Sequence, residues 1–316
     1  MKTKTTSLVL GSGGARGLSH IGVIRYLQEH GYQIDNIAGS SIGALIGGIH
    51  AAGQLSVYSE WVTKLQRSDI FRLLDPAFGG GSLLKGERII KVLTELIGDH
   101  QIENLPVSFT AVATDLTHAG AGREVWLTRG SLFKAIRASI AVPTLFAPVE
   151  SDGRLLVDGS VLNPLPVAPT LHMSTRLTVA VNLNGRYDAA RSPSSEAVKP
   201  ANPTNASGAT GPDESIVASY GDAVAQFIEK FWPASDPKES IELGFSDLAL
   251  RTMETMQASI TDFRLASSMP EIVVHIPSNT CSFFEFHRAQ ELIDIGYERT
   301  AKAVKEFEAN NPSLNG

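Results

Sequence analysis

The sequence predicts an α/β fold, with a mainly parallel central sheet flanked by helices and a helical insertion in the C-terminal half. Three observations carry this. Short apolar runs alternate with amphipathic stretches through the first half of the chain. A glycine-rich turn joins the first apolar run to the first amphipathic one. The 316 residues, 43% of them apolar, are enough to bury a large core.

Residues 8–10 read as the first strand, followed by the glycine turn and a helix whose Leu18, Ile21, Ile24 and Leu27 recur at helical spacing until Gly31 stops it. Residues 34–39 form the second strand, which turns sharply into a helix over 41–52. There Gly43, Ala44, Gly47, Gly48, Ala51 and Ala52 leave so little side-chain bulk that the backbone can lie close to the sheet. Further strands are expected at 107–114, 124–127, 155–157 and 177–182, with helices at 87–97 and 131–139. Residues 185–213 are rich in Pro, Ser, Ala, Asn and Gly and read as a flexible loop within a single domain spanning 1–316. A helical insertion follows over 214–270, in two stretches, 214–231 and 241–267. A strand at 271–276 and a helix from 285 to about 308 close the chain.

Composition excludes several classes. A formal net charge of -6 offers no basic stripe to displace counterions from nucleic acid, and it disfavours binding to an anionic membrane by charge alone. The only cysteine, Cys281, excludes an intramolecular disulfide and a Cys-based zinc site and fits a reducing compartment. The apolar run Ser7-Leu8-Val9-Leu10 is too short for a signal peptide. No run approaches the roughly 18 apolar residues of a membrane-spanning helix. A cytoplasmic protein is expected, at most peripheral at the inner membrane surface. Residues 223–232, AVAQFIEKFW, end in large apolar residues and read either as a core-facing helix or as an interfacial face for a transient membrane-surface contact.

Two motifs carry chemistry. Gly39-Ser40-Ser41-Ile42-Gly43 is a Gly-x-Ser-x-Gly pentapeptide between strand and helix, the setting that presents a nucleophilic serine. Gly11-Ser12-Gly13-Gly14-Ala15-Arg16-Gly17 follows a strand and opens a helix, so its N–H groups and the helix dipole favour an anion. As a dinucleotide fingerprint it fails where Arg16 takes the place of the third glycine, despite Asp35 at a suitable distance. As a P-loop it fails where Leu18 and Ser19 follow Gly17. As an oxyanion hole it needs a nucleophile nearby, and Ser41 follows at the end of the neighbouring strand. For a base, His275 lies in the apolar run IVVHIP and His287 in FFEFHRAQE, neither with an acid at telling spacing. His20 is placed to brace the glycine loop. Leu155-Leu156-Val157-Asp158-Gly159-Ser160 delivers an aspartate from a strand into a glycine turn, and converging strand ends of a parallel sheet would bring Asp158 to Ser41.

GSGGARG, GSSIG and DGS, in that order, resemble the three signatures of the patatin-like phospholipases. The stretches IRASIAVPTLFAPV, LVDGSVLNPLPV and FFEFHRAQELIDIGY resemble the bacterial branch related to neuropathy target esterase. The likeness spans about residues 5–183 and the final strand and helix. It implies a serine acyl hydrolase acting on lipid esters (phospholipid or lysophospholipid), needing neither cofactor nor metal and working through a Ser-Asp dyad. Ser41 would be the nucleophile and Asp158 the base, with the N–H groups of Gly13, Gly14 and Ala15 as the oxyanion hole. Arg16, Gly17, Gly39, Gly43 and Gly159 would support these motifs. Ser12 stands where many members have glycine, and Ser160 where Gly or Ala is usual; Ser160 is placed to hydrogen-bond Asp158 and alter its basicity. The alternative is a catalytically weak or inactive regulatory or lipid-binding protein of the same fold.

Overall fold

The computed structural model of the chain describes residues 4–76, 84–171, 173–188 and 245–312. In chain order its elements are β1 (Lys4–Leu10), α1 (Ser19–Glu29), β2 (Tyr32–Ser40), α2 (Ile42–Ala51), α3 (Leu55–Val62), α4 (Arg67–Leu73), α5 (Glu87–Ile97), β3 (Ser108–Asp115), β4 (Arg123–Leu127), α6 (Leu132–Ser139), β5 (Val149–Ser151), β6 (Arg154–Asp158), β7 (Leu177–Gly185), α7 (Phe245–Ser268), β8 (Ile272–Pro277) and α8 (Ala289–Asn310). The strands form one sheet in the order β5-β6-β3-β2-β1-β7-β8, with β4 paired to β3. From β3 to β8 the pairing is parallel, as the alternation of strands and helices predicts.

The other end of the sheet is antiparallel, and this positions the site. β5 and β6 make a hairpin around Asp152 and Gly153, both at positive φ (51° and 71°). That is the geometry a two-residue turn needs to follow the strand twist. β6 also runs against β3, pairing with it from Asp115 back to Ala113. β2 runs with β3 and pairs with it as far as Val112, opposite Ser40. β4 holds the opposite edge of β3 over Ala111 to Asp115, so β2 and β6 share one edge. Their C-terminal ends meet head-on, Ser40 and Asp158 facing neighbouring residues of β3.

Alternation along β1 sends Leu8 and Leu10 to the principal core, under α1, α2 and α8, and Val9 to the opposite face. Leu165, Val167 and Ala180 cover Val9 there, and Leu265 of α7 packs on them. The small residues of α2 act as expected: a Cβ at Gly47 would stand 2.7 Å from Ile37 and one at Gly48 would stand 2.9 Å from Leu132. α1 and α8 also cross in backbone contact, since Cβ atoms at Gly22 and Gly296 would strike the carbonyls of Ile293 and Ser19.

Several expectations change. α3, α4 and β5 were not anticipated. The closing helix starts at Ala289, after a 3-10 turn over Phe286–Arg288. The later stretch of the helical insertion is α7; its earlier stretch, 214–231, together with the apolar segment 223–232, lies outside the described residues, as does the loop 185–213 from 189 onward. Among the described residues no helix is long and apolar enough to cross a membrane. Nor are three or more His, Cys, Asp or Glu side chains grouped there to hold a metal ion.

Candidate active site

Ser41 sits on the turn from β2 into α2 with φ 56° and ψ -126°, a conformation a residue with a Cβ rarely adopts. The turn is held from several sides. The Ser41 N–H donates to Ser139 Oγ at 3.0 Å, and Ser139 in turn donates to the Val112 carbonyl at 2.6 Å. The Ser41 carbonyl accepts from the N–H groups of Ala44 and Leu45 at 2.9 and 3.2 Å. Both glycines of the pentapeptide are required by close approach: a Cβ at Gly39 would collide with the Gly43 carbonyl, and one at Gly43 with the Leu10 carbonyl. Ser139 is buried, so Ser139→Ala leaves two backbone groups unsatisfied. It is expected to lower stability by about 1–3 kcal/mol, read as a lower urea midpoint; an unchanged midpoint would mean that Ser139 does not hold the turn.

Asp158 ends β6 with its side chain wholly buried. Its Oδ2 accepts from Ser41 Oγ at 2.6 Å, and its Oδ1 accepts from the Ser160 N–H at 2.8 Å. Burial pushes its carboxyl up from the usual 3.8 to about 6, against the opposing pull of the Ser160 and Ser41 contacts. The Asp158 N–H donates to Ala141 at 2.9 Å. Gly159 admits no side chain, because a Cβ there would strike the Val112 carbonyl and stand 2.7 Å from Ser40 Oγ.

The glycine loop runs beside this pair. A Cβ at Gly17 would collide with Ile42, the residue after Ser41, so the loop and the serine turn pack directly on each other. The loop's N–H groups are unequally engaged: Gly11 donates to Val181, Ser12 to Pro164 and Ala15 to Phe283 at 2.9 Å. Those of Gly13 and Gly14 have no acceptor among the described residues. Ala15, expected as a third oxyanion donor, thus has its N–H committed to a carbonyl delivered by the chain after β8. Arg16 is buried and pins the loop from behind, donating to the Ser278 carbonyl at 3.0 Å and pairing with Glu254 of α7 at 2.9 Å.

The candidate histidines stand apart. His20 is fully buried, with Nε2 2.9 Å from the Gly11 carbonyl and its pKa pushed down by burial to about 4, so a neutral ring braces the loop. His275 lies 3.4 Å from the Asn182 amide, and His287 accepts from Arg67 at 3.2 Å; neither hydrogen-bonds Ser41 or Asp158. Sequence reasoning missed Ser139 and Gln257. Ser139 lies within IRASIAVPTLFAPV, which gives no hint of a role for one residue, and Gln257 sits in the long helix α7 with no motif around it.

A family model for patatin-like phospholipase matches residues 8–171. An NTE family protein of Mycobacterium tuberculosis is 38% identical over 96% of this chain and 92% of its own length. Patatin-like phospholipase domain-containing protein 7 of Rattus norvegicus is 26% identical over 92% of this chain, which matches 20% of that protein. Lysophospholipase NTE1 of Yarrowia lipolytica is 33% identical over 57% of this chain and 13% of its own length. With its fold, its three motifs in order and these relatives, the chain belongs to the patatin-like phospholipase family.

Proposed function

We propose that the protein is a serine acyl hydrolase that cleaves carboxylic esters of lipids, phospholipid or lysophospholipid, through Ser41 and Asp158. The observation that carries this reading is the 2.6 Å hydrogen bond from Ser41 Oγ to Asp158 Oδ2, within a buried pair. Support for the lipid substrate comes from relatives named as a phospholipase-domain protein and a lysophospholipase. In the first half-reaction Ser41 Oγ attacks the ester carbonyl while its proton passes to Asp158 Oδ2. The carbonyl oxygen takes the negative charge beside the open N–H groups of Gly13 and Gly14, preorganised donors that need no rearrangement. Collapse breaks the bond to the alcohol, which leaves with the proton from Asp158. Water then gives a proton to Asp158, attacks the acyl carbon, and the released fatty acid leaves Ser41 reprotonated. An aspartate of ordinary pKa is a poor base for an alcohol, and its burial, which raises the pKa toward 6, improves it.

Treatment with an organophosphorus ester in the presence of a metal chelator is expected to place one adduct on Ser41, located by peptide mass spectrometry, and to abolish ester hydrolysis. Modification elsewhere with Ser41 untouched would overturn the nucleophile assignment. Activity lost to the chelator and restored by a divalent cation would overturn the metal-free mechanism. Retained fold and lipid binding without any adduct would favour a non-catalytic lipid-binding protein.

A further inference from the structure

One side chain from a distant part of the sequence stands between the glycine loop and the Asp158 turn. Gln257 of α7 is buried, and its amide uses both ends: Ser12 Oγ donates to Oε1 at 3.3 Å, and Nε2 donates to Ser160 Oγ at 2.8 Å. Ser12 and Ser160 are buried as well, so none of the three can exchange these bonds for water without opening the site. The bonds have a direction. Because Gln257 donates to the Ser160 oxygen, the Ser160 hydroxyl keeps its own proton for another acceptor. Ser160 is held to the Asp158 carboxylate through its own N–H, which donates to Oδ1 at 2.8 Å. Donors therefore run from Ser12 through Gln257 and Ser160 to Asp158, the group that also accepts from Ser41.

We propose that Gln257 is a positioning residue for the acyl-transfer site: it clamps the glycine loop to the Asp158 turn and so holds Ser160, whose N–H donates to the Asp158 carboxylate. The inference rests on the Ser41–Asp158 reading above. It gives α7 a part in the chemistry, although the helix supplies no atom to the substrate. The charged groups facing the relay are Arg16 from the glycine loop and Glu254, one turn before Gln257, and they are paired with each other. Behind the loop His20 of α1 is neutral above about pH 4. Asp158 itself feels burial and the Ser160 and Ser41 contacts, with no charged side chain among the causes of its shift.

The test compares Gln257→Leu and Gln257→Glu in the wild-type background, and Gln257→Leu again in a Ser12→Ala/Ser160→Ala background. Three readouts are used: the rate of fluorophosphonate labelling at Ser41, kcat and KM on a soluble chromogenic ester, and the pH profile of kcat/KM. Gln257→Leu is expected to slow labelling and lower kcat about tenfold, with KM changed by less than about twofold. Gln257→Glu keeps the shape but can only accept when ionised, so its bond to Ser160 Oγ must reverse and a like charge is added near Asp158. The acid limb of the profile should move up by about one pH unit. With both serine hydroxyls removed, Gln257→Leu should add less than about twofold, because the groups through which it acts are gone. A wild-type labelling rate in both Gln257 variants with an unmoved profile would overturn the positioning role, as would a full tenfold loss in the serine-free background. Gln257→Glu, nearly isosteric, carries the test if Gln257→Leu fails to fold. Absence of labelling in the wild type would overturn the Ser41–Asp158 reading and this inference with it, whereas a labelled wild type with unaffected variants overturns only the inference.

Discussion

Asp158→Asn is expected to lower turnover by about a thousandfold or more, nearly as far as Ser41→Ala, and the double variant should be little worse than either. In a Ser-His-Asp triad the acid orients the imidazole, and a histidine remains to take the proton when the acid is lost. Here Ser41 Oγ donates straight to Asp158, and among the described residues no histidine hydrogen-bonds either group. An asparagine in the same place can still accept a hydrogen bond but cannot take the proton. His275→Gln and His287→Gln are each expected to keep most of the activity. Steady-state hydrolysis of a lipid ester, on variants shown to be folded by circular dichroism, measures all of these. A histidine variant as impaired as Ser41→Ala, beside an active Asp158→Asn, would replace the dyad with a triad.

The pH dependence is expected to be as pronounced. Asp158 must be ionised to act as a base, so kcat/KM should fall about tenfold for each pH unit below about 6, the value to which burial raises its carboxyl. Stability should move the other way. The folded-state pKa lies above the unfolded one, so the folded protein binds more protons between about pH 4 and 6. The stability associated with a neutral Asp158 is fully present below the unfolded value and is lost as pH rises through about 6. The shift from 3.8 to about 6 corresponds to a loss of roughly 3 kcal/mol at most. Asp158→Asn should remove this burden and unfold at a higher urea concentration than wild type at pH 8, despite being inactive. Urea midpoints at pH 5 and pH 8 for both proteins measure the effect; an equal midpoint difference at the two values would show that Asp158 does not titrate in this range. The same change that ends activity is then the one that relieves the core, because a base buried in a low-dielectric site is destabilising when charged.

Local chemistry was legible in the sequence. Gly39 and Gly43 announce a turn too tight for side chains, the glycine loop announces a helix entrance rich in N–H donors, and residues 8–10 and 34–39 announce strands, because each signal lies within a few residues of its consequence. The hairpin at Asp152-Gly153 carried an equally local signal that went unread.

The order of the three motifs was enough to mark the family, and the Asp-Gly turn was enough to nominate Asp158. What brings Asp158 to Ser41, however, is not the convergence of parallel strands that the sequence invites. β6 runs antiparallel and ends against β2 on a shared edge of β3. A one-residue slip in either register would separate the two side chains or turn one to the other face. The tertiary structure also decided which loop donors stay open, since the Phe283 carbonyl that occupies the Ala15 N–H is 268 residues away along the chain. It decided as well that Gln257, a polar residue in an unmarked helix, would become the link between two motifs. Propensity and spacing act over a few residues and are written in the sequence as such. Strand register, burial and the raised Asp158 pKa arise from segments far apart in the chain packing against one another, and no local pattern records them.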